Sequence, residues 1–139
     1  MTSRAGLALL LAILLPVLAS AQAPPRKAMR VFDQVHGAWG SAMRWGDSDE
    51  RLPFLAGQAR TALSDFDLRR WEQVRISSYR ERSRAMDEQG RMRVRVEVGV
   101  INIHTQAERN VLVEEQWQWL PEQGGWRLVS GLPALWPDA

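Results

Sequence analysis

A strict alternation of apolar and charged residues between positions 91 and 98 constrains the fold of this chain more than any other feature. The apolar positions are Met92, Val94, Val96 and Val98, and the charged positions between them are Arg91, Arg93, Arg95 and Glu97. A period of two residues is typical of a β-strand that has one buried and one solvated face. The pattern therefore predicts an antiparallel sheet with other elements packed on one side.

The alternation also predicts how this strand pairs with the next one. Its apolar positions change from even to odd numbers at Gly99-Val100, because the apolar positions beyond this pair are Ile101 and Ile103. We interpret the change as a β-bulge, which glycine favours. If the bulge leaves one extra residue of this strand without a partner, Ile101 pairs with Val113 and Val98 pairs with Glu115. The inward set of the next strand is then Val111, Val113, Glu115, Trp117 and Trp119.

Helical periodicity precedes the strands. Apolar residues at three- and four-residue spacing predict a helix from about Met29 to Trp45, which Gly46 ends. Asp47 to Asp49 supply N-caps for a second helix, in which Gly57 is a weak point. We expect a loop at Asp65-Phe66-Asp67 before the first strand.

Four strands follow in the prediction, with turns at residues 87–90 and 121–125. They span about residues 71–84, 91–103, 111–120 and 126–129, and an apolar tail at 132–137 packs back on the body. The fold class is therefore α+β, with N-terminal helices packed on a curved antiparallel four-stranded sheet in a cone-like α+β roll.

Residues 1–21 have the pattern of a secretory signal peptide. Arg4 precedes an apolar run at 7–15, Pro16 breaks it, and Ala19-Ser20-Ala21 is a typical cleavage site. We expect an extended leader at 22–28 and a single α+β roll domain at 29–139. The mature protein is then periplasmic or secreted. Charged residues interrupt every later apolar stretch, so we expect no stable membrane insertion after cleavage.

Composition excludes several classes of site. The chain has no cysteine, two histidines and a formal net charge of +2. Disulfides, thiolate metal sites and iron–sulfur clusters are therefore excluded. His36 and His104 stand apart from any grouping of ligands and are expected at the surface or a rim, so we expect no metal and no cofactor. Acidic residues interrupt the arginines, and we expect no nucleic-acid partner.

From about residue 30 to 136 the chain resembles the nuclear-transport-factor-2-like superfamily, which includes cystatin-like, SnoaL and ketosteroid-isomerase-like proteins. The resemblance is carried by the first helix with Trp39, by Gly46-Asp47 after it, and by the segments 113–119 and 125–128. It implies a conical fold whose sheet and helices enclose a pocket. Some members use this pocket as isomerases, dehydratases or cyclases, and others hold a ligand or a protein partner.

The chain departs from the enzymatic members of that superfamily. No tyrosine and aspartate set aligns with the isomerase acid and base, so no catalytic residue is transferred. The only tyrosine, Tyr79, has the parity opposite to Ile76 and is expected to face away from the pocket. Most tryptophans are expected in the core, with Trp71 and Trp136 partly exposed.

An inward Glu115 on an apolar strand face is the position most suggestive of a site. A buried carboxylate must be hydrogen-bonded, paired or protonated. One interpretation places Glu115 at the open mouth of the sheet, in contact with water or an arginine. The other makes it a pocket acid. The candidate ligand-binding residues are Trp39, Val98, Ile101, Glu115, Trp117 and Trp119.

Three functions follow, in order of preference. The first is an exported binding or accessory domain that holds a small apolar ligand or a protein partner without catalysis. The second is an isomerase or hydro-lyase with Glu115 as the candidate catalytic acid or base. The third is a module that associates through the polar sheet face, which favours a monomer or a weak homodimer. That face carries Arg93, Arg95, Glu97, Gln116 and Gln118.

Overall fold

A computed structural model describes residues 23–136 of the chain. Its helices are α1 (Arg26–Trp45), α2 (Ser48–Arg51), α3 (Gly57–Thr61) and α4 (Asp65–Trp71), and its strands are β1 (Val74–Met86), β2 (Met92–Asn102), β3 (Glu108–Leu120) and β4 (Gly125–Leu128). The strands form one antiparallel sheet in the order β1-β2-β3-β4. The predicted α+β fold, with N-terminal helices packed on a curved antiparallel four-stranded sheet, is confirmed. The predicted signal peptide lies outside the described residues.

Helix α1 supplies most of the helical side of the core. It begins at Arg26, three residues before the predicted start and inside the expected leader. Its buried positions recur every three or four residues, as one helix face requires. They are Ala28, Phe32, His36, Trp39, Ala42 and Met43. The helix ends at Gly46 as predicted, and the buried Arg51 guanidinium donates to the carbonyl oxygens of Ala42 and Met43 in the last turn at 3.1 and 3.0 Å.

The predicted second helix is broken into short pieces. A 3-10 turn at Leu52–Phe54, which contains Pro53, separates α2 from α3. The expectation of a loop at Asp65-Phe66-Asp67 is wrong, because these residues begin α4. Ser64 caps that helix by accepting from the Asp67 backbone N–H at 3.1 Å, and the Asp67 carboxylate accepts from the Ser64 N–H at 3.0 Å. This reciprocal capping box outweighs the turn tendency of the aspartates.

The register of β2 and β3 differs from the prediction. Val98 pairs with Val111, Val94 pairs with Glu115, and Ile101 pairs with Glu108, with no interruption along the ladder. The apolar phase of β2 continues to Val100, which is buried, while Ile101 is only partly buried. The predicted bulge in β2 is therefore wrong.

The bulges lie instead in the neighbouring strand β1. The ladder between β1 and β2 shifts between Ile76 and Ser78 and again between Glu81 and Ser83. The hydroxyl oxygens of Ser77 and Ser78 lie 2.4 and 2.5 Å from the position that a Gly99 side chain would occupy. Glycine at 99 thus marks the irregularity correctly but makes room for a bulge on the opposite strand.

The first bulge reverses the phase of β1 beyond Ile76. Tyr79 consequently faces the helical side of the sheet, where its ring lies 5.8 Å from that of His36 on α1. The expectation that Tyr79 faces away from the interior is wrong for this reason. A phase reversal that no apolar repeat records cannot be read from parity alone.

The core lies between α1 and the inner face of the sheet. The apolar tail packs on this core as predicted, with Leu135 fully buried. Leu55 forms a parallel bridge to Leu128 and covers the β4 edge. Within residues 23–136, the helices are too short or too polar to cross a membrane.

Candidate functional site

The carboxylate of Glu115 is at the centre of a buried polar group between α1 and the sheet. Its side chain is 2 % exposed. Oε1 accepts from Nε2 of His36 and from Nε1 of Trp117, each at 3.0 Å. Oε2 accepts from Nε1 of Trp39 at 2.8 Å and from the Tyr79 hydroxyl at 2.6 Å. We call these five residues the Glu115 cluster.

Each member of the Glu115 cluster is placed by the regular spacing of its own element. His36 and Trp39 are three residues apart and share the inner face of α1. Glu115 and Trp117 are two residues apart and share the inner face of β3. Tyr79 reaches the cluster from β1, across β2, because of the bulge before it.

The hydrogen bonds fix the tautomer of His36. Nε2 of His36 lies 3.0 Å from Oε1 of Glu115 and 3.0 Å from the Tyr79 oxygen. The single hydroxyl proton of Tyr79 is donated to Oε2 of Glu115, so both neighbours of Nε2 act as acceptors. Nε2 therefore carries a hydrogen, and in neutral His36 the lone pair lies on Nδ1.

The cluster favours an ionised Glu115 and a neutral Tyr79. Burial raises the pKa of Glu115, but the hydrogen bonds from His36, Tyr79 and Trp117 more than offset it and hold this pKa below its ordinary value. Burial raises the pKa of the Tyr79 hydroxyl far above its ordinary value, and the negative charge of Glu115 raises it further. Glu115 thus acts as an acceptor with two donors on each oxygen.

The structure brings some of the predicted pocket residues together. Trp39, Glu115 and Trp117 are in direct contact, and the rings of Trp39 and Trp117 pack edge to face at 5.9 Å. Val98 is buried on the same sheet face, next to Tyr79 in the β1–β2 ladder.

Two of the predicted pocket residues lie apart from this group. Ile101 has the parity of the solvated face of β2, because the predicted phase change does not occur. Trp119 lies near the C-terminal end of β3 and is partly buried, with its ring centroid 5.9 Å from that of Trp126. The interpretation of Glu115 as a water-exposed residue at an open mouth is wrong, since the residue is 2 % exposed.

Sequence reasoning missed His36 and Tyr79. His36 is 6 % exposed and is not the surface residue that was expected, whereas His104 is exposed as predicted. The signal for His36 was its spacing, since it lies four residues after Phe32 and three before Trp39. Reading a histidine as part of the apolar stripe requires a buried acceptor on the facing strand, and Glu115 is that acceptor.

An open cleft runs along α1 above the Glu115 cluster. It has a volume of about 420 Å³, and His36 and Tyr79 form its floor. The other residues that line it are Asp33, Gly37, Gly40, Ser41, Arg44, Trp45, Glu81 and Arg84. We call it the α1–β1 cleft. Nδ1 of His36 lies 3.6 Å from Oε1 of Glu81 at one end of it.

The other end of the α1–β1 cleft is formed by Trp45. Of the seven tryptophans, all within the described residues, Trp45 is the exposed one, at 76 %, and the Arg44 guanidinium stacks on its ring at 4.6 Å. The prediction of a partly exposed Trp71 is wrong, because Trp71 is buried beneath Arg51. A cleft of about 520 Å³ borders the far side of Trp45.

The chain matches no protein-family model, and no curated protein and no solved structure is similar to it. The fold and the Glu115 cluster are therefore the basis on which a function is argued.

Proposed function

We propose that this protein is an exported, non-catalytic binding domain whose ligand occupies the α1–β1 cleft. The observation that carries the proposal is Gly37. Glycine in a helix interior costs about 1 kcal/mol relative to alanine. A side chain at Gly37 would meet no atom within 4 Å, so the close packing of this chain does not require glycine there. The missing side chain keeps the cleft open beside His36.

The cleft has the size of a small-molecule site. Its volume of about 420 Å³ falls within the usual range of about 300–1,000 Å³ for small-molecule sites. It combines polar groups at the His36 end with the exposed ring of Trp45 at the other. The neighbouring cleft of about 520 Å³ has the aspartates of the α1–α2 turn on its rim, where Asp47 caps α2.

The saturated hydrogen bonding of Glu115 favours binding over catalysis by this carboxylate. Each of its oxygens already accepts two hydrogen bonds, so neither is free to take a proton from a substrate. A group that acts as a general base must reach that proton directly or through one water.

The long first helix on a curved sheet also supports our proposal that the chain belongs to the nuclear-transport-factor-2-like superfamily.

The proposal is tested by filling the cleft at Gly37. Gly37→Phe places a ring in open space, and Ala38→Phe puts the same ring on the exposed neighbour, which does not line the cleft. A thermal-shift screen with a chemically diverse small-molecule library is run on the wild type and both variants. We expect compounds that raise the Tm of the wild type and of Ala38→Phe but not that of Gly37→Phe. A screen in which no compound distinguishes Gly37→Phe from Ala38→Phe would refute the proposal.

A second candidate function is proton transfer by His36. The observation that favours it is the hydrogen bond between His36 and an ionised Glu115, which holds the ring through Nε2 and orients Nδ1 towards the cleft. The test is deuterium uptake at carbon, followed by proton NMR in D₂O, for any carbonyl compound that the screen finds. Uptake that requires His36 and is lost in His36→Gln would favour this candidate, and its absence would exclude it for those compounds.

A further inference from the structure

Nδ1 of His36 has no bonding role in holding the described residues together. The ring is 6 % exposed and is fixed through Nε2, and within residues 23–136 Nδ1 makes no hydrogen bond. Its nearest charged neighbour is Oε1 of Glu81 at 3.6 Å, and the two atoms are both acceptors when His36 is neutral. Oε1 of Glu81 already accepts from Nε and Nη2 of Arg84 at 3.0 and 2.8 Å, so Nδ1 is the atom of this pair that lacks a donor.

The His36 end of the cleft carries an excess of negative charge. Glu115 is ionised, and its four donors are uncharged when His36 is neutral. Asp33 and Glu81 add two further carboxylates, while the single guanidinium at this end, Arg84, pairs with both. Asp33 and Glu81 thus share one guanidinium at the surface of this end of the cleft, and the ionised Glu115 lies beneath His36 and Tyr79. A cation is the complementary ligand.

The opposite end of the cleft offers apolar surface. The α1 side of the cleft carries small residues, which are Gly37, Gly40 and Ser41. This side ends at the exposed ring of Trp45. Nine residues separate His36 from Trp45, which corresponds to about 13 Å along a helix. An apolar chain of this length would span the cleft, and Arg44, stacked on Trp45, is the cation at that far end.

We propose that the α1–β1 cleft binds an organic ammonium ion. Its N–H groups donate to Nδ1 of His36 and to the carboxylate of Glu81, and its apolar chain lies past Gly37 against Trp45. The proposal rests on the proposed binding function, since it names the ligand class of the same cleft.

The experiment uses three probes with the same chain and different head groups: n-octylammonium, n-octanol and n-octanoate. Binding of each to the purified protein is measured by isothermal titration calorimetry. The main variant is Glu81→Gln, because this residue is outside the Glu115 cluster and its replacement leaves the four bonds to that carboxylate in place. The matched control is Glu97→Gln, another arginine-paired, partly exposed glutamate, on the solvated sheet face.

We expect the wild type to bind n-octylammonium at least tenfold more tightly than either other probe. Glu81→Gln should weaken that binding at least fivefold, and Glu97→Gln should leave it unchanged. Equal or tighter binding of n-octanol or n-octanoate, or an unchanged affinity in Glu81→Gln, would overturn the proposal.

The outcome separates the ligand class from the proposed function. If the ammonium probe does not bind while other compounds still distinguish Gly37→Phe from Ala38→Phe, the ligand class is wrong and the binding function stands. If no compound distinguishes those variants either, both proposals fail.

Discussion

The hydroxyl of Tyr79 donates a hydrogen bond of 2.6 Å to Oε2 of Glu115 across the intervening strand β2. The two residues are 36 positions apart in the chain, on strands that do not pair with each other. This bond ties the edge strand β1 to the centre of the core. It also makes Tyr79 the link between the buried carboxylate and the α1–β1 cleft, because the tyrosine ring forms part of the cleft floor.

Removing the Tyr79 hydroxyl is expected to destabilise the fold. A hydrogen bond to a charged group contributes about 1.5–3 kcal/mol, so Tyr79→Phe should lower the free energy of unfolding by that amount. Glu115→Gln should cost more, because it sets an amide N–H₂ against donors that are already buried. Urea unfolding of both single variants and the double variant measures their coupling, which should be about 1–3 kcal/mol.

The control for this cycle is Arg80→Ala, a change at the exposed neighbour of Tyr79. It should alter the free energy of unfolding by less than about 0.5 kcal/mol. If Tyr79→Phe were as mild as Arg80→Ala, the 2.6 Å bond would have no net effect on stability.

The ionisation of Tyr79 can be followed directly, because it is the only tyrosine of the chain. Its pKa in the folded state is raised by burial and by the charge of Glu115, so the native protein should show no phenolate absorbance near the ordinary tyrosine pKa of about 10. In urea the same titration should occur at about that value. Because the folded pKa is the higher one, stability is unaffected by Tyr79 below pH 10 and falls above it. Phenolate absorbance that rises near pH 10 before unfolding would contradict this expectation.

Below neutral pH, the free energy of unfolding should depend on the ionisation of Glu115. Its pKa in the folded state lies below the ordinary value of 4.5, so the ionised carboxylate stabilises the fold above that pH, and this contribution is lost as the pH falls through the lower folded value. The difference in unfolding free energy between the wild type and Glu115→Gln should therefore shrink as the pH falls below about 4.5. Urea unfolding at a series of pH values measures it, and a difference that grows on acidification would show that the folded pKa is raised instead.

The sequence predicts the fold well wherever one periodicity persists along an element. The α1 stripe and the alternation from Met92 to Val98 predicted the main helix and the central strand, and the constant phase of the next strand placed Glu115 on the inner face of the sheet. These patterns are strong because a helix or strand that changes phase would move its whole apolar set to solvent.

The candidate site was less predictable because it depends on two irregular features. Tyr79 reaches the core because of a bulge at Ser77-Ser78, which does not show in the pattern of apolar residues. The sequence indicates this bulge only through Gly99, which lies on the neighbouring strand. His36 is buried because a carboxylate from a distant strand accepts a hydrogen bond from its Nε2. Such a partner is fixed by tertiary structure rather than by local spacing, so the burial of a polar side chain cannot be predicted from its own position alone.

The two glycines of α1 that line the cleft should respond oppositely to alanine. A side chain at Gly37 meets open space, so Gly37→Ala should raise the free energy of unfolding by about 0.5–1 kcal/mol through helix propensity. At Gly40 the added carbon would lie 3.1 Å from Cδ1 of Tyr79, a ring that its bond to Glu115 holds in place. Gly40→Ala should therefore lose stability despite the same gain in propensity. Chemical unfolding of the pair measures the difference, and equal stabilisation of both would show that the Tyr79 ring is free to move.

Gly99 should control the position of Tyr79 from the opposite strand. A side chain at 99 would lie 2.4 Å from Oγ of Ser77 and 2.5 Å from Oγ of Ser78, so Gly99→Ala has to displace the bulge, at a cost of about 1–3 kcal/mol. Because the bulge sets the phase of β1, the displacement also weakens the bond from Tyr79 to Glu115. Alkaline titration should then show phenolate absorbance at a lower pH in Gly99→Ala than in the wild type.

The matched background for this test is the double change Ser77→Ala with Ser78→Ala, which removes both hydroxyls that crowd position 99. In that background Gly99→Ala should cost at least about 1 kcal/mol less, since the closest atoms are gone. Tyr79 should also keep more of its raised pKa, because the bulge no longer has to shift as far. An equal cost in both backgrounds would mean that backbone strain, rather than the serine hydroxyls, requires glycine at this position.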